Sequence, residues 1–207
     1  MKRLLLTSSG LRWKGSLKLR KEFLKLLDKP SEEIRVLVIR TVRRREDLKR
    51  INKVIKALKK AGIQKKNIID ANISKNIKNN KFKEKFDVIY FCGGNTFYIL
   101  DRTRKTGFDK LIKQHINQGR LYVGVSAGSI IVHKTIEPAG VGKFGDKNDI
   151  NLKNLTGLSL VNFAIFPHYK KYQEKEIKEF EKKANYKCFR LKDKQAILIK
   201  GNKLKKI

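Results

Sequence analysis

Ser126 stands in the run Gly124-Val125-Ser126-Ala127-Gly128, between apolar Leu121-Tyr122-Val123 and Ser129-Ile130-Ile131. A serine flanked by glycines at this spacing, between a strand and a helix, is a nucleophile presented at the top of a parallel sheet. Gly124 and Gly128 carry no Cβ, so strand and helix can approach closely around a sharp turn. Helix N-terminal amides around such a serine favour developing negative charge. Acyl transfer then needs a base, a group that orients the base, and an oxyanion hole.

Three histidines are available as base. His115 falls mid-helix among polar residues and is expected at the surface. His133, seven residues past Ser126, is expected two turns down the following helix, facing away from the turn in a structural role. His168, in Phe166-Pro167-His168-Tyr169, follows an apolar strand and stands at its carboxyl end. Ligands bind at the carboxyl ends of strands in open α/β sheets, so His168 is the expected base. The Ala127 amide is one expected oxyanion donor. The second is expected from the turn Gly93-Gly94-Asn95, with Asn95 or Thr96 capping the next helix. The carboxylates between Ser126 and His168 are Glu137, Asp146 and Asp149. Asp146, beside the glycine-rich stretch 140–145 that could fold over the site, ranks first as orienting acid and Glu137 second.

The elements that must position these groups alternate along the chain. Apolar strand-like runs at 3–8, 34–39, 67–73, 86–92, 120–125, 160–166, 188–191 and 196–200 interleave with helix-like stretches at 17–27, 46–61, 96–103, 107–118 and 174–183. In the first helix Leu17, Leu19, Phe23, Leu24 and Leu27 form the expected apolar face. In the second, Leu48, Ile51, Val54, Ile55 and Leu58 do so, and Gly62 ends it. The lysine-rich connection 74–85 carries no clear pattern. This alternation predicts an α/β protein with a mostly parallel sheet. No repeat or linker divides the 207 residues, and a single domain, 1–207, is expected.

Composition narrows the function further. Lys and Arg number 51 against 19 acidic residues, a formal charge of +32. The charge is mostly dispersed lysine, and its one compact cluster is Arg43-Arg44-Arg45, followed by Lys49-Arg50. No stacking aromatics are interleaved with it, so nucleic acid is not an expected partner beyond non-specific electrostatics. No apolar run reaches the ~20 residues that span a bilayer, and no membrane partner is expected. Two cysteines, Cys92 and Cys188, have neither metal-like spacing nor a disulfide framework. A cytoplasmic protein, monomer or homodimer, without metal or cofactor, is the expectation.

Four segments together resemble the peptidase E family of serine peptidases, within the class I glutamine-amidotransferase-like fold. They are Leu4-Leu5-Leu6-Thr7-Ser8-Ser9-Gly10, Cys92-Gly93-Gly94-Asn95-Thr96-Phe97, Gly124-Val125-Ser126-Ala127-Gly128-Ser129 and Phe166-Pro167-His168-Tyr169. The resemblance implies a flavodoxin-like three-layer sandwich with a nucleophile elbow. It also implies Ser126 as nucleophile, His168 as base, and Gly94 with Ala127 as oxyanion donors. Asn95 and Tyr169, beside these groups, are the candidate substrate contacts, and a small peptide is the implied substrate. The family includes dipeptidases that cleave after an N-terminal aspartate and enzymes that degrade cyanophycin. The aspartyl dipeptidases carry an arginine soon after the His-Tyr pair, where this chain has Lys170-Lys171-Tyr172-Gln173-Glu174-Lys175.

The rival readings are weaker in the residues. An α/β-hydrolase esterase is expected to separate serine and histidine by more than the 42 residues here. A glutamine amidotransferase would place cysteine at the elbow. A catalytically poor or purely anion-binding protein on the same fold would rest on the charge alone.

Overall fold

The computed structural model describes residues 1–12, 16–41, 45–75 and 85–207. Arg43, Arg44 and most of the connection 74–85 lie outside the described residues.

Seven strands form one sheet in the order β3-β2-β4-β5-β1-β8-β9, with β1 Arg3–Thr7, β2 Val36–Arg40, β3 Ile68–Asn72, β4 Val88–Phe91, β5 Leu121–Val125, β8 Ala196–Lys200 and β9 Lys203–Lys206. The first five are mutually parallel, while β8 runs antiparallel to β1 and β9 antiparallel to β8. A separate parallel pair joins β6, Phe163–Phe166, to β7, Lys187–Arg190. The expected α/β architecture is therefore present. The edge strand β9, four residues of Lys203-Leu204-Lys205-Lys206, is too polar to announce itself.

Successive strand residues point to opposite faces, and the sheet is buried on both. Leu5, Val36, Val38, Val88, Tyr90, Val123 and Val125 face one core. It is covered by α1, Leu17–Lys25, through Leu19 and Phe23, and by α2, Arg45–Lys60, through Ile51, Val54 and Leu58. Leu4, Leu6, Leu37, Ile39, Ile89, Phe91 and Tyr122 face the other core. There they meet α3, Thr96–Thr106, α4, Phe108–Asn117, and the strand β6. The apolar helix faces are narrower than their leucines suggest: Leu17 is 63% exposed, Leu24 38% and Leu48 47%. Leu19, Phe23 and Leu26, at i, i+4 and i+7, make the buried stripe of the first helix instead.

Two corrections fall on the histidines. His115 is buried, and its Nε2 lies 2.9 Å from the Leu121 carbonyl, tying α4 to β5. The helix after Ser126, α5, is one turn long, Ala127–Ile130. His133 therefore lies beyond it, buried, with its ring edge-on to Tyr186 at 4.4 Å. Among the described residues, no helix is long and apolar enough to cross a membrane.

Candidate active site

Ser126 leaves β5 with φ 50° and ψ −114°, a conformation that residues with side chains rarely adopt. Holding a non-glycine residue there costs about 1–3 kcal/mol, so the surroundings must over-determine it. They do so through hydrogen bonds to backbone carbonyls and through close backbone packing. The Ser126 amide donates to the Thr7 carbonyl at 3.0 Å, and the Ser129 hydroxyl donates to the same oxygen at 2.9 Å. The Thr7 hydroxyl donates in turn to the Gly124 carbonyl at 2.8 Å. A Cβ on Gly128 would meet the Phe91 carbonyl oxygen at 2.6 Å, and one on Gly124 the Gly128 carbonyl oxygen at 2.6 Å. Only glycine lets these backbones close around the serine. Gly93, just beyond β4, is less crowded but still close, since a Cβ there would lie 3.0 Å from Ser126 Cβ.

His168 reaches the serine from the second sheet. Its Nε2 lies 3.1 Å from Ser126 Oγ. The paired ends of β6 and β7 carry it there: the Leu191 amide donates to the Phe166 carbonyl at 2.9 Å, and the Tyr169 amide to the Leu191 carbonyl at 3.0 Å. His168 also has a positive φ, 57°.

The carboxylate on the far side of the ring is Asp193, with Oδ1 2.7 Å from His168 Nδ1. Asp193 sits in the turn between β7 and β8. Because β8 runs antiparallel, its beginning lies beside the carboxyl end of β1, with Ala196 opposite Thr7. Burial raises the Asp193 pKa, but hydrogen bonds from His168, Ser9 and Lys170 outweigh it and hold the carboxyl below its ordinary value. Asp193 lies outside the interval between Ser126 and His168, so a search confined to that interval misses it. The available signal was its place in the polar turn Leu191-Lys192-Asp193-Lys194-Gln195 between two apolar strands.

Asp146 is placed elsewhere. Its Oδ2 accepts the Thr96 amide at 2.8 Å and the Thr96 hydroxyl at 2.6 Å, at the N-terminus of α3. There a carboxylate satisfies unpaired helix amides and complements the dipole. Glu137 is exposed in the turn Glu137–Gly140, and Asp149 is exposed as well. The loop 140–149 runs along the start of α3 and the helix α6, Glu174–Lys183, with the Lys143 amide donating to Glu176 Oε1 at 3.1 Å.

The remaining residues divide by what their polar groups already do. Among the described residues, none accepts a hydrogen bond from the Ala127 or Gly94 amide. Asn95 is engaged: Oδ1 accepts the Tyr98 amide at 3.0 Å, capping α3, and Nδ2 donates to the Lys147 carbonyl at 2.7 Å. The Tyr169 hydroxyl donates to Glu174 Oε2 at 2.8 Å. Cys92 is buried next to Gly93, and burial pushes its thiol up to about 12, away from nucleophilic use. Among the described residues no group of three or more His, Cys, Asp or Glu is placed to hold a metal ion.

Comparison with known proteins bears on this arrangement. The model of peptidase family S51 matches residues 4–207. An uncharacterised peptidase of Listeria monocytogenes is 36% identical over 125 residues, covering 58% of this chain and 60% of the relative. A peptidase E of a Shewanella species is 33% identical over 87 residues, 42% of this chain and 35% of its own. The chain thus matches at most about three-fifths of the length of these curated relatives. A crystal structure of a candidate peptidase E protein from Listeria monocytogenes superposes with a TM-score of 0.81 at 29% identity, covering 100% of this chain and 98% of that one. A peptidase from an acI-B1 actinobacterium shares the fold, with a TM-score of 0.72 at 16% identity over 100% and 87% of the two chains. With a parallel α/β sheet, a glycine-flanked serine at its carboxyl edge and a family match from residue 4 to residue 207, this chain belongs to peptidase family S51.

Proposed function

We propose that the protein is a serine-type peptidase of the peptidase E kind, acting on small peptides through Ser126, His168 and Asp193. The observation that carries this reading is the continuous contact from Ser126 Oγ to His168 Nε2 at 3.1 Å and from His168 Nδ1 to Asp193 at 2.7 Å. In this mechanism Ser126 Oγ attacks the scissile carbonyl while His168 Nε2 takes its proton. Asp193 holds the ring with Nδ1 protonated and stabilises the imidazolium that forms. The Ala127 and Gly94 amides stabilise the tetrahedral oxyanion. His168 passes the proton to the leaving amine, and the acyl-enzyme is hydrolysed by a water that the same histidine deprotonates.

The side chain preferred at the cleaved residue is proposed to be acidic. A small cavity beside the elbow has Arg12, Thr41 and Arg50 on its lining, over a floor that includes Ile51, Val54 and Tyr90. Two guanidiniums there suit a carboxylate better than the lysines after His168 would, since arginine presents a planar fork of donors.

The test is hydrolysis of Asp-x dipeptides, with matched non-Asp dipeptides, by wild type, Ser126→Ala and His168→Ala. Cleavage is expected in wild type and a loss of roughly 10⁴-fold or more in kcat in both variants. Activity that survives Ser126→Ala overturns the serine mechanism, and equal cleavage of both dipeptide sets overturns the acidic preference.

A further inference from the structure

The segment Thr7-Ser8-Ser9 enters the resemblance to the family but has no part in the chemistry above. Its two serines are buried, at 0% and 3% exposure, directly beyond β1. Buried hydroxyls need partners, and these two find theirs in the site. Ser8 Oγ accepts the His168 backbone amide at 2.8 Å, while the Ser8 amide donates to the Gln195 carbonyl at 3.1 Å. Ser9 Oγ donates to Asp193 Oδ1 at 3.0 Å and lies 3.5 Å from His168 Nδ1. The two serines, in the bend beyond β1, thus reach different groups of the same site. One hydroxyl fixes the histidine backbone at its positive φ, and the other fixes the carboxylate.

Lys170 completes the arrangement from the other oxygen. Its Nζ lies 3.2 Å from Asp193 Oδ2. Asp193 Oδ1 therefore receives His168 and Ser9, and Oδ2 receives Lys170. Contacts at both oxygens hold the plane of the carboxylate in one orientation beside the imidazole. The other charged or titratable groups near Asp193 are Lys192 and Lys194 on its own turn, with Tyr169, Lys171 and Glu174 from the segment after β6.

We infer that Ser9 and Lys170 are positioning residues of this peptidase, acting through Asp193 to hold the His168 ring in register with Ser126, with Ser8 setting the His168 backbone. The inference rests on the serine-peptidase reading for its kinetic consequence but not for its geometry. Ser9 is itself buried and donates to a carboxylate that is only partly exposed, so its loss removes a charge-assisted hydrogen bond and is felt in the turnover step. Lys170 is half exposed, and its contribution is mainly one of charge.

Two measurements separate the possibilities. The first is the downfield proton resonance of His168 Nδ1–H in the folded protein, which needs no substrate. It is expected in wild type, absent in Asp193→Asn, and broadened by solvent exchange in Ser9→Ala and Lys170→Met. Lys171→Met, which removes the same charge from a neighbouring residue without touching Asp193, leaves it sharp. The second is the pH profile of kcat/KM. Ser9→Ala lowers kcat about 10-fold with KM unchanged, the scale of one lost hydrogen bond to a charged group. Lys170→Met moves the acid limb to higher pH, because loss of a nearby cation lets the base hold its proton more tightly, and Lys170→Arg restores the limb. A resonance equally sharp in Ser9→Ala, Lys170→Met and wild type overturns the positioning role, whatever the chain hydrolyses. A wild type that cleaves no peptide while the resonance responds as stated overturns the peptidase reading and leaves the positioning geometry standing.

Discussion

The two halves of the site are built from different materials. The half around Ser126, comprising β4, β5, the elbow and Gly93, is held by backbone packed on backbone and stitched by the buried hydroxyls of Thr7 and Ser129. Its side chains are almost all buried, and its tightest approaches are carbonyl oxygens 2.6 Å from where a glycine Cβ would stand. The half that carries His168 and Asp193 is held by side chains at the edge of the molecule. His168 is 48% exposed at its side chain and Asp193 22%, and their partners come from the turn after β1 and from Lys170. One half is specified by sterics, which tolerate almost no substitution. The other is specified by a few hydrogen bonds, each of which another polar residue could supply in principle.

The contrast is broken most directly at the carboxylates. Asp193→Asn is expected to lower kcat by about 10⁴-fold while leaving the melting temperature almost unchanged, because the amide favours the wrong imidazole tautomer. Single-turnover kinetics beside a melting curve would show it. A loss under tenfold would remove Asp193 from the mechanism. His115 sharpens the comparison on the stability side. Burial lowers its pKa to about 4, well below an ordinary histidine, while its bond to the Leu121 carbonyl opposes the shift only in part. The unfolded chain therefore binds the extra proton first. Stability is full above about pH 6.5 and falls by roughly 3 kcal/mol as pH drops towards 4. Urea unfolding at several pH values should reveal that slope, and His115→Gln should flatten it. The depressed carboxyl of Asp193 acts in a lower window, its contribution being lost only as pH falls below the ordinary carboxylate range of about 4.

Gly128→Ala tests the steric half itself. Its Cβ would press on the Phe91 carbonyl, and a destabilisation of about 3 kcal/mol is expected from denaturant unfolding. Gly140→Ala, whose Cβ would meet nothing closer than 3.4 Å, serves as its tolerant counterpart. The smallest effect belongs to Asp146→Asn. Weakening the carboxylate at the start of α3 should cost about 1 kcal/mol and leave kcat within a few-fold of wild type. A collapse of kcat there, with Asp193→Asn active, would exchange the two residues' roles.

How much could be read beforehand follows the same division. The strands were legible because buried parallel strands are continuous apolar runs, and Val88–Phe91 and Leu121–Val125 have no other plausible use. Ser126 was legible because the glycines that permit its turn are neighbours in the chain. His168 was legible from its place at the end of an apolar strand. The histidine of α4 misled, since polar neighbours in sequence do not show that its ring faces β5. Asp146 misled for a related reason: a glycine-rich loop near a site is equally suited to capping a helix.

The amino-acid sequence by itself determined the α/β architecture, the elbow at Ser126 and the candidacy of His168. These depend on periodicity, on backbone sterics and on residues a few positions apart. Only the tertiary structure decided which carboxylate meets His168 and what holds that carboxylate. Asp193 meets His168 across 25 residues, and Ser9 meets Asp193 across 184. Those contacts exist because β8 turns back antiparallel beside β1, and because β6 and β7 pair outside the main sheet. A carboxylate carries no local pattern that marks it as an orienting group. Its role is set by which side chains the folded sheet brings within hydrogen-bond reach.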